Sequence, residues 1–471
     1  MRVAPMKTLA AILCLCFSTS ALAQPQPHKY VMDSLNPFAS REVKKLRYEA
    51  LKNLGVEGIT MDIWWGVVEP EEGKFNWDIY KENFKLAKEA GLKVIPIEPG
   101  HSEERQPLPG WIWNKFKDMK FKDSEGVENR EFISYFVPEA HELRKKVLQS
   151  FKENFYEYDS IIPMIYIGLG PSGEARYPSF SSYWNYPAVG RHQAGSDRAI
   201  SNFQKYARDQ FGIIEKLNGA LGLKLQSFEE LTPPTDGLRF FKDGVNSAYG
   251  RFFMDWYQGV LDSSVDQDQR NANEVLKTGE NPFHGVLAGK IAGIYWLATD
   301  KVFSHGAERA AGYYNYDRLM KVFAKNNFEL TFTAFEMDNK DYYPDFSRAA
   351  DLVREIAELG KKNNVRISGE NADAFDLSYR SWAAIENAYR NINRVFENND
   401  ITAFTFLRAD FLVNDDGSLR PEAALYRQHL GDASQTVKVE EEEEALLGMP
   451  ELKGCNEKLG ETGRHRPPVH N

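Results

Sequence analysis

Ile161-Ile162-Pro163-Met164-Ile165-Tyr166-Ile167-Gly168-Leu169 runs directly into Gly170-Pro171-Ser172-Gly173-Glu174-Ala175-Arg176-Tyr177-Pro178-Ser179. The first stretch is short, apolar and rich in isoleucine, and reads as a buried strand. The second is a Gly/Pro turn that throws one glutamate out at the strand's carboxyl end, beside an arginine and a tyrosine. Buried parallel strands with chemistry at their carboxyl ends are the mark of α/β barrels. Val365-Arg366-Ile367-Ser368 repeats the arrangement, with Gly369-Glu370-Asn371 at its end. Two carboxyls on two strand ends are the minimum needed to cut a glycosidic bond.

Working outward, similar runs recur along the chain. Strands are expected near Tyr30–Ser34, Gly58–Ile63, Leu92–Ile97, Ile161–Gly168, Lys290–Trp296, Glu329–Phe335, Val365–Ser368 and Ala403–Leu407. Amphipathic helical patterns lie between them, at Ile79–Ala90, Ala140–Phe155, Tyr316–Lys325 and Phe346–Lys361, with Gly91 and Gly360 read as helix-ending residues. Eight strands alternating with helices predict a parallel (β/α)8 TIM barrel with long loop insertions on the active face. The stretch Ser179–His284 exceeds a simple crossover and carries its own helical segments, Ser201–Leu217 and Ala248–Leu261. Such an insertion either shapes the cleft or forms a peripheral subdomain.

The ends read differently. Residues 1–23 look like a secretory signal: Arg2 and Lys7 open it, Leu9–Phe17 is a short apolar run, and Ala21-Leu22-Ala23 fits a cleavage site. Cys14 and Cys16 fall inside it, leaving Cys455 alone, so no disulfide within the chain is expected. A secreted or periplasmic location follows. Residues 24–432 are assigned to the catalytic domain and 433–471 to an acidic and polar tail containing Glu440–Glu444.

The chain has 471 residues, and 42% are hydrophobic, ample for a large core. Most of its 13% aromatic content is expected in that core. Net charge is −10, and loss of Arg2 and Lys7 with the signal would make it −12. That balance argues against nucleic acid as a partner. No later run approaches the ~20 apolar residues of a membrane span, so no membrane partner is expected. H-E-x-x-H, a Gly-rich phosphate loop and G-x-S-x-G are all missing, and the nine histidines show no metal-ligand spacing. No metal or cofactor is expected to be required. Calcium stays open, since carboxylates and carbonyls leave no short signature outside an EF-hand.

Five motifs in order carry a resemblance. Asp62-Ile63-Trp64-Trp65-Gly66, Gly170–Ser179, Lys290-Ile291-Ala292-Gly293-Ile294-Tyr295-Trp296, Gly369-Glu370-Asn371-Ala372 and Phe404-Thr405-Phe406-Leu407-Arg408 resemble the D-V-W-W-G, G-P-A-G-E-L-R-Y-P-S, K-I-S-G-I-H-W, G-E-N-A and F-T-x-L-R of the β-amylases, glycoside hydrolase family fourteen. The resemblance spans roughly Tyr30 to Leu430. It implies an inverting hydrolase of α-1,4-glucans or maltooligosaccharides that releases β-maltose from non-reducing ends, acting as a monomer without a cofactor. Glu174 would be the general acid and Glu370 the general base. An inverting pair needs about 6.5–9.5 Å between carboxyls to admit a water. Asp62 would grip sugar in the first subsite, though a strand-end aspartate can also be an N-cap or ion pair. Lys290 would reach sugar hydroxyls from the cleft floor, or simply be solvated. Tyr295 replaces the family's histidine. Thr333, Asn371, Ala372 and Arg408 match further substrate-binding positions. Trp64 and Trp65 read equally well as packing.

Two departures stand out. His101 matches the histidine opening the family's H-Q-C-G-G-N-V-G-D lid, yet Ser102-Glu103-Glu104-Arg105-Gln106 follows and the lid's Gly pair and aspartate are missing. Asp373 stands where the family has an apolar wedge against the glucan. Two alternatives therefore stay open: a related glycosidase with another glucan or product length, and a non-catalytic glucan-binding protein.

Overall fold

The computed structural model describes residues 26–98, 100, 108–116, 118–179, 188–372, 375–378 and 380–431. The calls on the signal, His101, Asp373, Cys455 and the tail lie outside the described residues.

Eight parallel strands close on themselves: β1 (His28–Met32), β2 (Gly58–Asp62), β3 (Lys93–Ile97), β4 (Met164–Ile167), β5 (Val286–Ile291), β6 (Glu329–Thr333), β7 (Ile367–Glu370) and β8 (Ile401–Phe406). Each pairs with its sequence neighbours, and β8 closes on β1 through His28 opposite Ala403. The expected (β/α)8 barrel is the observed fold. Side chains fill its interior. Tyr30, Met32, Ile95, Ile97, Met164, Tyr166, Ala288 and Ala403 form an inner cluster separate from the larger core between strands and helices. This is the layered filling of a closed barrel, which leaves no pore.

The helices form as their patterns dictate. Arg41–Asn53 starts at Ser40, whose hydroxyl accepts from the Val43 amide. Asp78–Glu89 ends before Gly91 at φ +73, so the Gly91 expectation holds. Gly360 does not end its helix. Helix Ala349–Asn363 runs past it to Asn364 in the left-handed region. Gly360 sits where a Cβ would lie 2.5 Å from Ile367 Cγ1, so packing on β7 is its constraint.

Strand β5 also corrects the expectation. It begins at Val286, whose amide donates to Pro163, and ends at Ile291 rather than Trp296. The chain leaves the sheet because hydroxyls take over its amides. Ala292 N–H donates to Tyr313 Oη (2.9 Å) and Gly293 N–H to Thr333 Oγ1 (2.7 Å). Lys290 consequently lies near the carboxyl end of β5, in the barrel mouth. Segment Ser201–Leu217 is two helices, Asp197–Phe211 and Ile214–Leu221, broken at Gly212 (φ +71). Helix Ala248–Lys277 extends well beyond the expected Leu261, packs along helix Glu139–Phe155, and serves as the crossover to β5. A hairpin of Lys120–Lys122 and Glu128–Ile133 was not foreseen.

Candidate active site

Glu174 is held by its own turn. Ser172 (φ 56) and Gly173 (φ +80) both take left-handed backbone, reversing the chain just after β4. Gly170 has no room for a side chain, since a Cβ would meet the Glu174 carbonyl at 2.1 Å and Tyr135 Oη at 2.4 Å. Tyr135 Oη lies 2.9 Å from the Leu169 carbonyl and 2.7 Å from that of Arg176, bracing the turn from below. Tyr177 stacks on Tyr257 with centroids 3.9 Å apart and anchors its far end. Arg176 Nε donates to Glu174 Oε2 at 2.8 Å. The Arg176 side chain is buried, while that of Glu174 keeps 16% exposure.

Glu370 is the last residue of β7, with 4% of its side chain exposed. Lys290 Nζ donates to its Oε2 at 2.8 Å. Burial pushes the Glu370 carboxyl above its ordinary value; the Lys290 ammonium and its hydrogen bond oppose this, and the charges of Glu174 and Asp62 add to it. Those last two influences place Glu174, Glu370 and Asp62 in one electrostatic neighbourhood.

Lys290 joins the two carboxyl-bearing elements. Its backbone carbonyl accepts from Ala175 N–H at 2.8 Å, next to Glu174, and its ammonium holds Glu370. Its side chain is 3% exposed and its Nζ lies 5.1 Å from the centre of the Tyr166 ring. The solvated reading of Lys290 is thereby excluded, and its contact is with the second glutamate.

One carboxyl on a turn after β4 and one at the end of β7, each with its own cation, suit acid–base cleavage of a glycosidic bond. Residues 30–436 match Glycosyl hydrolase family 14. The chain belongs to that family. It is 36% identical over 422 residues to the thermophilic beta-amylase of Thermoanaerobacterium thermosulfurigenes, covering 86% of this chain and 75% of that protein. It is 36% identical over 399 residues to the beta-amylase of Cytobacillus firmus, covering 82% and 83%. Its fold superposes on the catalytic domain of the beta-amylase from Paenibacillus polymyxa with a TM-score of 0.81, at 35% identity, over 86% of this chain and 98% of that one.

The other expected site residues of this family 14 glycoside hydrolase divide into two sets. Asp62 ends β2, half-buried, and is close enough to Glu370 to raise it. Thr333 stands opposite Glu370 in the β6–β7 register, with its hydroxyl engaged by Gly293 N–H. Arg408 follows β8, half-buried, with Nη1 3.1 Å from Met32 Sδ. Asn371 is fully buried and clamps Leu407 from both sides, accepting from its amide at 2.8 Å and donating to its carbonyl at 3.0 Å. Asn371 thus fixes the residue preceding Arg408. Ala372 is exposed, and its amide donates to Glu336 Oε1 at 2.9 Å. Tyr295 is buried, edge-on to Trp296. Trp64 and Trp65 are buried as well, so the packing reading holds for both.

Sequence reasoning passed over two residues here. Tyr313, on the segment after β5, is buried; burial first, then the charge of Glu174, pushes its phenol above the ordinary value. No local motif marks it. Glu98, directly after β3, is buried too, and its one available signal was position: an acid at the end of a predicted strand. Among the described residues no group of three or more His, Cys, Asp and Glu could hold a metal ion, and no helix is long and apolar enough to cross a membrane.

Proposed function

We propose that the barrel mouth hydrolyses α-1,4-glucosidic bonds of starch-like glucans with inversion, releasing β-maltose from non-reducing ends. The observation that carries this is the Glu174–Lys290–Glu370 arrangement: Lys290 holds the turn that bears one carboxyl through the Ala175 amide, and pairs directly with the other carboxyl on its strand. Glu174, the more exposed of the two, gives its proton to the leaving glycosidic oxygen. Glu370, whose ionised form the Lys290 ammonium favours, takes a proton from a water attacking the opposite face of the sugar. Asp62, at the end of β2, holds hydroxyls of the sugar at the non-reducing side. Arg176 orients Glu174, since a guanidinium donates along fixed directions. All these steps use side chains of this chain alone.

The decisive experiment follows maltopentaose hydrolysis by proton NMR and reads the anomeric form and length of the first products. Fresh β-maltose is the expected result. Initial α-anomers would overturn the roles of the two glutamates. Longer initial products would replace the maltose assignment with a different cleavage pattern. Maltose binding without turnover would favour a glucan-binding protein.

A further inference from the structure

Glu98 leaves β3 buried, with 2% of its surface exposed. Its amide donates to the Tyr166 carbonyl at 2.8 Å. Among the described residues strands β3 and β4 share one paired position, Ile97 opposite Tyr166. The Glu98 side chain continues the link beyond it. Oε1 accepts from Gly168 N–H at 2.9 Å, and Oε2 accepts from Gly100 N–H at 3.1 Å. Gly168 is the residue at which the chain leaves β4 for the Glu174 turn. Gly100 is shaped to the same contact: a Cβ there would lie 2.6 Å from Glu98 Oε1 and 3.1 Å from the Gly168 carbonyl.

The turn carrying Glu174 therefore has three kinds of anchor. Tyr135 holds the carbonyls of Leu169 and Arg176, and the Lys290 carbonyl holds Ala175 N–H. Glu98 is the one at the entry, acting on Gly168 N–H. Gly168 N–H finds its partner in that carboxyl, and a buried amide left without one is destabilising.

We infer that Glu98 is a positioning residue for the general acid: it sets the take-off of the Glu174 turn from β4 through Gly168. The inference rests on Glu174 being that acid. A carboxyl suits the task because each of its oxygens keeps a lone pair to accept with, protonated or not, whereas an amide nitrogen has none. Glu98→Gln keeps the size and shape of the side chain and sets an N–H against an N–H at Gly168 or Gly100. Gly100→Ala displaces the same carboxyl without altering it. Misplacing a catalytic group by about 1 Å can cost on the order of a hundredfold in rate.

The test compares two substrates in the full chain. Maltopentaose has a sugar leaving group that needs a proton. α-Maltosyl fluoride has a leaving group that departs without one. Both Glu98→Gln and Gly100→Ala are expected to lower kcat on maltopentaose about tenfold or more, with KM within about twofold and fluoride turnover within about twofold. Glu174→Gln run alongside should show the same selectivity, more strongly. Equal losses on both substrates would mean general damage and overturn the inference; so would wild-type kcat for Glu98→Gln on maltopentaose. If Glu174→Gln itself retains maltopentaose turnover, the acid assignment falls and the inference with it. If Glu174→Gln is selective and Glu98→Gln is not, only the role of Glu98 falls.

Discussion

The two carboxyls proposed as acid and base sit in opposite kinds of backbone. Glu370 is part of a strand, hydrogen-bonded on both sides within the sheet, and almost wholly buried. Glu174 rides on a turn outside the sheet, with left-handed residues before it and its side chain partly open to solvent. Each has a cation at 2.8 Å, but Glu370's comes from β5, two strands away around the barrel, and Glu174's from two residues along its own turn. The difference follows the work. A base that activates one water benefits from a fixed, dry site. An acid that must meet a bulky leaving group has to stand where that group can arrive. Burial pushes the Glu370 carboxyl up, and its lysine is the group that opposes that rise.

The largest effect should come from removing the chemistry on either side. Glu174→Gln and Glu370→Gln should each lower kcat by about 10²–10⁴-fold with circular dichroism unchanged. Substantial residual turnover in either would erase the division between acid and base.

Next comes the contrast in pairing. Lys290→Met strips a buried carboxyl of its partner, with an expected stability loss of about 3–5 kcal/mol by denaturant titration at neutral pH. The sign with pH follows from the raised Glu370: a group with its folded value above the unfolded one stabilises below the unfolded value and loses that contribution as pH rises. The deficit of Lys290→Met should therefore grow toward alkaline pH and shrink in acid. The acidic limb of its kcat/KM profile should move to higher pH, because the base ionises later. An unmoved limb would show that Lys290 does not support Glu370.

Arg176→Lys tests the turn side. It retains charge and loses the planar donors, and should lower kcat about tenfold with little change in KM. If it loses as much stability as Lys290→Met, the distinction between a structural and an orienting cation collapses.

The smallest effect concerns Glu98. Burial pushes its carboxyl up to about 8, with the Gly168 amide and Arg144 opposing and Asp268 adding to the rise. Arg144 is itself engaged by Asp268 at 2.7 Å. Wild-type stability tied to Glu98 is full below about pH 4.5 and is lost as pH passes about 8. Glu98→Gln cannot titrate, so its Tm deficit should narrow from pH 6 to pH 9. A constant gap would place the burden on hydrogen bonding alone.

Most of this was legible in the sequence, for identifiable reasons. The barrel showed because each of its strands is buried on both faces, so β-branched runs recur between amphipathic helices. Glu174 and Glu370 showed because glycine-rich turns follow or interrupt those runs. The end of β5 did not show: the apolar run continues through Ile291-Ala292-Gly293-Ile294, and the hydroxyls that draw it off the sheet come from Tyr313 and Thr333, distant in sequence. Lys290 was placed among sugar contacts by the family resemblance, and its bond to Glu370, 80 positions away, was not legible in the sequence. Gly360 looked like a helix end because glycine serves both as a stop and as a gap for close packing, and only Ile367 tells which. Asn371 looked like a ligand for sugar, and its two bonds to Leu407 depend on the neighbouring strand.

Lys290 has one further consequence. Its carbonyl grips the turn of one glutamate and its ammonium grips the other, so a single residue couples the turn to the strand-end carboxyl. Any displacement of that residue is felt at both members of the proposed acid–base pair.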